Sequence, residues 1–238
     1  MELSQLLKVP KQKQLKNRTI FYLTIALVVQ VFFWYFSMPG PQLAKDFEAS
    51  FSQGTTSCFV AAGCLLVIPL ACILIMRDDL ARFGLGWGDV RYGLMAVLFV
   101  TPIFVIATCI GSGDQQLQEF YPLAGNAIGK DLESFGIWIL AYACFYISFE
   151  FFYRGFLLFG ADDLDLIHGF LLQLACCVLI HAGKPFAETL ASIPASILFA
   201  WITIRSRSII YAFLIHFAVG IANDLSALWQ KGELEILF

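Results

Sequence analysis

The chain has 238 residues, of which 59% are hydrophobic and 14% charged, with a formal net charge of −3. A soluble domain carries about a quarter charged residues, so this composition argues against one. There is no basic patch of the kind that binds nucleic acid. The seven cysteines lack the spacing of a zinc knuckle and are best interpreted as small apolar residues in helices. The composition therefore indicates an integral membrane protein.

Apolar runs of about 20 residues, enough for an α-helix to cross the ~30 Å hydrocarbon core, recur along the chain. We predict membrane spans at 20–38, 55–76, 92–110, 135–158, 166–182, 187–203 and 208–228. The predicted fold class is all-α, a polytopic transmembrane bundle of about seven helices, with six to eight as the range. Residues 1–238 are expected to form a single integral membrane domain.

The basic residues between the spans predict the orientation. The first apolar run is too long for the apolar region of a signal peptide and no clear cleavage site follows it, so we expect it to be the first span of the mature protein. Counted over alternate loops, ten Lys and Arg residues fall on one side and four on the other. Five of the ten precede the first span: Lys8, Lys11, Lys13, Lys16 and Arg18. The positive-inside rule predicts a cytoplasmic N-terminus, with the C-terminus outside after seven spans.

The fourth span carries two charges inside an apolar helix, in the run Ser148-Phe149-Glu150-Phe151-Phe152-Tyr153-Arg154-Gly155. A charge at membrane depth costs about 3 kcal/mol or more, so it usually has a partner or a function. Glu150 and Arg154 are four residues apart and can form an ion pair on one helix face. They are either a structural pair or a general base, Glu150, held ionised by Arg154.

A histidine ends the fifth span, in the run His181-Ala182-Gly183-Lys184-Pro185-Phe186-Ala187-Glu188. Gly183 and Pro185 predict that one helix stops and the next restarts. Glu188 falls in the first turn of the sixth span, where the helix dipole favours an acid, so a structural role explains it as well as a catalytic one does. His181 is either an interfacial residue or part of a site.

The seventh span carries His216 about half way along, followed by Gly220 and Asn223 on the same stripe. Gly220 allows a close neighbouring helix, and Asn223 is a possible polar partner. His216 is either a buried histidine bonded to a neighbouring helix or a member of a site.

These three helices, in this order, resemble the CAAX prenyl protease and bacteriocin-processing (CPBP) family of intramembrane endopeptidases. The family motifs are EExxxR, FxxxH and HxxxB, with B a small or Asn-type residue. The resemblance covers residues 135–228, and the runs FEFFYRGFLL and HAGKPxxE look like a bacterial branch. It implies an enzyme in the bacterial cytoplasmic membrane that cleaves a membrane-associated protein or peptide, with the lipid bilayer as its surroundings. No oligomeric state is indicated.

Carried over by position, the resemblance implies a catalytic centre of Glu150, His181 and His216. Arg154 would support the glutamate, with Glu188 and Asn223 as further supporting residues. Glu150 would activate water, while the two histidines would orient water and stabilise an oxyanion or serve as ligands of a zinc ion. The cofactor is therefore either none or zinc.

The sequence departs from the family pattern at three positions. Phe149 replaces the first glutamate, Cys177 replaces the aromatic residue of FxxxH, and Gly220 ends HxxxB. Either Glu150 takes the role of base, or Glu188 does, or the chain is an inactive family member that serves as a scaffold, immunity factor or peptide binder. A small proton-coupled transporter is a further alternative.

The predicted spans also leave Glu150 and His181 about 10–15 Å apart in depth, from a rise of ~1.5 Å per residue. A fifth helix that starts deeper, or a re-entrant turn at Gly183-Lys184-Pro185, would close this gap.

Overall fold

The computed structural model describes residues 17–36, 50–161, 164 and 166–237. All regular elements in these ranges are helical, which confirms the predicted all-α membrane bundle. Short 3-10 turns lie between main helices at Leu80–Phe83 and Asn126–Gly129, and another follows the last helix at Glu235–Leu237. The main helices are α1 (Asn17–Phe36), α2 (Phe51–Ile75), α3 (Val90–Gly111), α4 (Gln115–Phe120), α5 (Leu132–Gly160), α6 (Leu166–Leu179), α7 (Phe186–Ser206) and α8 (Ile210–Lys231).

Helix starts follow from local side-chain chemistry. Ser50, Asp89, Asp114 and Asp131 each precede a helix, and each side chain accepts a hydrogen bond from a backbone N–H in the first turn. Such caps satisfy donors that the helix itself leaves without a partner. The polar residues between apolar runs therefore fix where α2, α3, α4 and α5 begin.

Six helices in the described part of the chain are long and apolar enough to cross a membrane, and α6 is the one at a predicted span that is not. It has 14 residues, which at ~1.5 Å per residue is about 21 Å, less than a hydrocarbon core. The predicted span at 166–182 is thus a short helix followed by a turn. The helix and turn begin at the end of the bundle where Arg82 donates to the Phe159 carbonyl. They finish near the contact between Lys184 and Tyr121.

Burial separates a central helix from outer ones. More than half of the α5 span is buried, whereas Gly93 is the one buried residue of α3. Large apolar side chains of α3, such as Ile103 and Ile110, point outward, as expected for a surface in contact with lipid tails. The aromatic core is built on α5, where Trp138 and Tyr142 stack at 4.4 Å between ring centroids. Helix α5 therefore positions the side chains at the centre of the bundle.

The outer helix α3 packs closely on α8 at a single glycine. A methyl group at Gly93 would overlap the ring of Tyr211, whose hydroxyl donates to the Trp87 carbonyl at 2.6 Å. The packing of α3 on the rest of the bundle therefore depends on a residue without a side chain at position 93.

Part of the predicted charge asymmetry lies outside the described residues, namely Lys8, Lys11, Lys13, Lys16 and Lys45. Arg18 is described, at the start of α1, where its guanidinium lies 3.3 Å from the Asp78 carboxylate. Arg82 pairs with the same carboxylate. Burial raises the pKa of Asp78, but these hydrogen bonds and charges outweigh it and hold that pKa below its usual value.

We expect Gly93→Ala to lower the free energy of unfolding by about 1–3 kcal/mol, because overpacking forces α3 and α8 apart. Gly136→Ala is the matched control, since a methyl group there meets open space in a helix and alanine is the better helix former. Thermal unfolding in detergent would measure both. Equal losses for the two variants would contradict the packing argument.

Candidate active site

Glu150 lies in α5 as a fully buried carboxylate with two charged or polar neighbours. Its Oε2 lies 3.2 Å from Nε of Arg154, one turn further along the chain. The guanidinium is also buried, and its Nη2 donates to the Ser196 hydroxyl on α7 at 3.4 Å. Because two buried charges neutralise each other here, the pair can exist inside an apolar bundle.

A local change in helix geometry places the arginine. Directly after Glu150, the segment Phe151–Leu157 adopts π-helical i→i+5 bonding, a distortion common at functional sites. The Arg154 guanidinium carbon then lies 5.7 Å from the ring centre of Phe149 and 5.7 Å from that of Phe199. Aromatic faces attract a cation at this distance, so they help to hold the guanidinium in place.

His216 on α8 binds the other oxygen of the same carboxylate. Its Nδ1 lies 2.7 Å from Oε1 of Glu150. An ionised carboxylate can only accept hydrogen bonds, so we assign the proton to Nδ1. The lone pair of His216 is then on Nε2, on the opposite side of the ring. Glu150 thus fixes both the tautomer and the orientation of this imidazole.

His181 lies in the turn after α6, and its ring is fixed in a similar way. Its Nδ1 is 2.7 Å from the carbonyl oxygen of Cys177, which again requires the proton on Nδ1 and leaves the lone pair on Nε2. Gly183 makes the turn possible, because its φ of 96° lies in the left-handed region that favours glycine. Cys177, at the position of the motif aromatic residue, therefore contributes its backbone carbonyl.

The structure closes the gap in depth between Glu150 and His181. Phe149, adjacent to Glu150, has its ring centre 5.5 Å from that of His216 and 6.2 Å from that of His181. Because α6 is short, His181 lies next to α5 rather than at the far surface of the bundle. The ring of Phe149 fills the space between the two imidazoles, where the family pattern would place a second carboxylate.

The two histidines line one cavity of about 450 Å³ between α3, α7 and α8. Its wall is mostly apolar and includes Phe104, Phe199 and Val219. Glu150 lies behind this wall, and His216 separates it from the cavity. The polar residues of the wall include Tyr121, Tyr146, Arg154, His181, Glu188, Ser192, Ser196, His216 and Asn223.

Glu188 belongs to a separate polar cluster on the same wall. Lys184 Nζ lies 2.7 Å from its Oε1, and the Tyr121 hydroxyl donates to its Oε2 at 2.8 Å. Burial, with the nearby Glu188 charge, raises the pKa of Tyr121 well above its usual value, so the phenol stays a donor. As predicted, Glu188 is in the first turn of its helix. Its oxygens are both engaged within this cluster.

The sequence interpretation did not single out Tyr121 or Tyr146 as site residues. Tyr121 follows a short helix in the loop between two spans, and no spacing ties it to Glu188. Tyr146 did leave a signal, because Tyr142, Tyr146, Glu150 and Arg154 recur every four residues and so share one face of α5.

The donor set does not fit the zinc ion that His181 and His216 could have held. A catalytic zinc site takes three protein ligands and keeps one position open. Among the described residues, no three His, Cys, Asp or Glu side chains come together as a group that could hold a metal ion. The Glu150 oxygens are already engaged by Arg154 and His216. We therefore derive no step through a metal.

We expect Arg154→Gln to lower the free energy of unfolding by about 3–5 kcal/mol, because it leaves the Glu150 carboxylate buried without a cation. The double variant Glu150→Gln/Arg154→Gln, which removes both charges at nearly constant volume, should lose less. Thermal unfolding in detergent would compare them. If the single and double variants were equally unstable, the ion pair would not be the cause.

Comparison with known proteins agrees with the motif resemblance. Residues 131–222 match the family described as "Type II CAAX prenyl endopeptidase Rce1-like". Neither a curated protein nor a solved structure matches the chain significantly. The matched segment holds α5, α6, α7 and the part of α8 that carries His216, so it includes the three helices of the site. Residues 131–222 of this integral membrane protein are therefore a Rce1-like domain of the type II CAAX prenyl endopeptidases, a family of proteases.

Proposed function

We propose that the chain is an intramembrane endopeptidase that hydrolyses a peptide bond of a membrane-associated protein or peptide. The observation that carries this proposal is the Glu150–His216 pair at the wall of a cavity inside the bundle. A carboxylate that holds the Nδ1–H of an imidazole leaves Nε2 as a base, as in other hydrolases that use such pairs. The protease family of residues 131–222 supports the same reaction.

In this proposal the proton of the attacking water moves to His216 rather than directly to Glu150. Water hydrogen-bonds to Nε2 of His216, which takes one proton as the oxygen attacks the substrate carbonyl carbon. The Glu150 charge stabilises the imidazolium that forms. When the tetrahedral intermediate collapses, the C–N bond breaks and His216 returns the proton to the leaving amine. The products are an acid and an amine, so one water is consumed.

The other predicted site residues have supporting roles in this scheme. His181 offers a lone pair on Nε2 and can accept a hydrogen bond from the second O–H of the water, which would orient the attacking oxygen. Arg154 keeps Glu150 ionised and in position. Glu188 and Asn223 lie on the cavity wall at positions suited to contact with substrate, and Lys184 pairs with Glu188.

One feature favours the second hypothesis, an inactive family member that binds a peptide or acts as a scaffold or immunity factor. Phe149 removes one carboxylate from the centre and packs against both imidazoles. Such a protein would keep the cavity but would not hydrolyse a peptide bond. The two hypotheses therefore differ in whether any peptide bond is cut.

We also propose that the protein resides in the bacterial cytoplasmic membrane with its N-terminus in the cytoplasm. Five arginines lie in or next to helix ends on the side of the bundle where α1 begins: Arg77, Arg82, Arg91, Arg205 and Arg207. This clustering supports the positive-inside assignment. Alkaline phosphatase fused to the C-terminus should then be active in a bacterial host, because it would be exported. An inactive fusion, with a normally expressed protein, would contradict this orientation.

His216→Ala should abolish cleavage, with a loss of at least about 100-fold, because a positioned general base contributes that much or more. We would compare membranes that carry the wild type, His216→Ala and Glu150→Ala by quantitative proteomics of newly formed N-termini. A substrate should accumulate uncut with both variants. Its cleavage rate in proteoliposomes then gives kcat and KM.

His168→Ala is the matched control, because this histidine is exposed on α6, away from the cavity wall. It should cleave at the wild-type rate. If wild-type and His216→Ala membranes gave identical sets of N-termini, and a quenched farnesylated CAAX peptide also stayed intact with the wild type, the protease hypothesis would be wrong. The inactive alternative would then be favoured.

A further inference from the structure

The cavity needs a hydrogen-bond donor that neither histidine supplies. The Nδ1–H of His216 is given to Glu150, and that of His181 to the Cys177 carbonyl. Both imidazoles therefore present only a lone pair to the cavity. A tetrahedral intermediate places negative charge on the former carbonyl oxygen, and donors aimed at that oxygen are usually the largest single contribution to catalysis. Some other residue on the wall has to donate.

Most other donors on the wall are already engaged. Tyr121 donates to Glu188, and the Ser192 hydroxyl donates to the Thr189 carbonyl. The Arg154 guanidinium lies beside Glu150 and donates to Ser196 through Nη2, and its Nη1, which has no hydrogen-bond partner, is fully buried. Asn223 is seven residues beyond His216 on α8, which is about 10 Å along the helix axis.

Tyr146 is a further donor on the wall, and its ring lies directly beside the base. Its ring centre is 4.5 Å from that of His216, and its side chain is part of the cavity wall. Its hydroxyl donates to the hydroxyl of Tyr142 at 3.0 Å. Because a hydroxyl proton rotates freely, Tyr142 can donate to Tyr146 and leave the Tyr146 proton for a substrate oxygen.

The Tyr146 hydroxyl also occupies the space that a side chain at position 220 would fill. A Cβ built on Gly220 would overlap this hydroxyl and the adjacent ring carbons. Position 220 is one helical turn after His216 and faces the same cavity. The phenol of Tyr146 on α5 therefore places a polar group where a side chain at position 220 of α8 would otherwise lie.

We propose that Tyr146 donates its hydroxyl hydrogen bond to the oxyanion, in place of a polar side chain at position 220. This rests on the proposed endopeptidase function and names a further catalytic residue for it. The hydrogen bond forms as the carbonyl oxygen gains charge and is released when the C–N bond breaks, so Tyr146 ends each cycle protonated. His216 moves the proton and Tyr146 stabilises the charge.

The first test is Tyr146→Phe, which keeps the ring and removes the donor. The assay uses proteoliposomes and the substrate that accumulates uncut with His216→Ala. The kcat should fall by about 100-fold or more, because one oxyanion donor contributes that much. KM should change little. Tyr142→Phe is the matched control, since it removes the other half of the same hydrogen bond and leaves the Tyr146 donor. It should retain most of kcat.

The second test moves the donor to the other helix. Tyr146→Ala should be as impaired as Tyr146→Phe, and Tyr146→Ala/Gly220→Asn should recover about tenfold or more, as expected for two positions that share one space. Gly220→Ala on the Tyr146→Ala background controls for refilled volume and should recover no kcat. Thermal unfolding of each variant in detergent would identify any that fail to fold.

Distinct results would overturn distinct claims. A wild-type rate for Tyr146→Phe, or equal losses for Tyr146→Phe and Tyr142→Phe, would overturn the role of Tyr146 and leave the protease function intact. If Gly220→Ala restored kcat on the Tyr146→Ala background as well as Gly220→Asn does, the role of Tyr146 would be packing alone. Absence of wild-type cleavage would overturn both proposals.

Discussion

The structure of the site depends on one buried carboxylate with a partner on each oxygen. Glu150 binds Arg154 through one oxygen and His216 through the other. A charge at this depth is tolerated only because the guanidinium neutralises it, and the guanidinium in turn needs its ring of aromatic side chains and Ser196. The same carboxylate connects α5 to α8 and determines which imidazole nitrogen carries the proton. Stability and the proposed reactivity therefore depend on the same three groups.

The rest of the bundle serves to bring a second imidazole and a cavity to this carboxylate. Helix α6 is too short to cross a membrane, and the turn at Gly183 returns the chain towards α5, so His181 arrives beside Phe149. Helix α3, almost unburied, closes the cavity on its outer side. An apolar cavity bordered by a lipid-facing helix suits a substrate that is itself held in the membrane. The geometry thus agrees with the protease family of residues 131–222.

Much of the fold and part of the site could be predicted from the sequence, because these features depend on local residue patterns. Apolar run length predicted six of the seven spans, i,i+4 spacing predicted the Glu150–Arg154 pair, and the helix dipole predicted Glu188 in a first turn. The His216–Glu150 contact was harder to predict, since it joins residues 66 positions apart. The depth of His181 depends on where α6 stops, and an apolar run does not define that end. The cluster of Tyr121 with Glu188 requires the tertiary fold.

The departures from the family motifs have a common physical reason in the structure. Phe149 in place of a glutamate removes a second negative charge next to Glu150, where two carboxylates would repel each other in a low dielectric. Its ring instead packs between two imidazoles and against Arg154, which makes the remaining carboxylate the sole partner of the His216 proton. Gly220 removes a side chain from α8 and admits the Tyr146 phenol from α5. In the proposed mechanism the base is an imidazole and the oxyanion donor is a tyrosine, so the loss of motif residues is compatible with a working hydrolase.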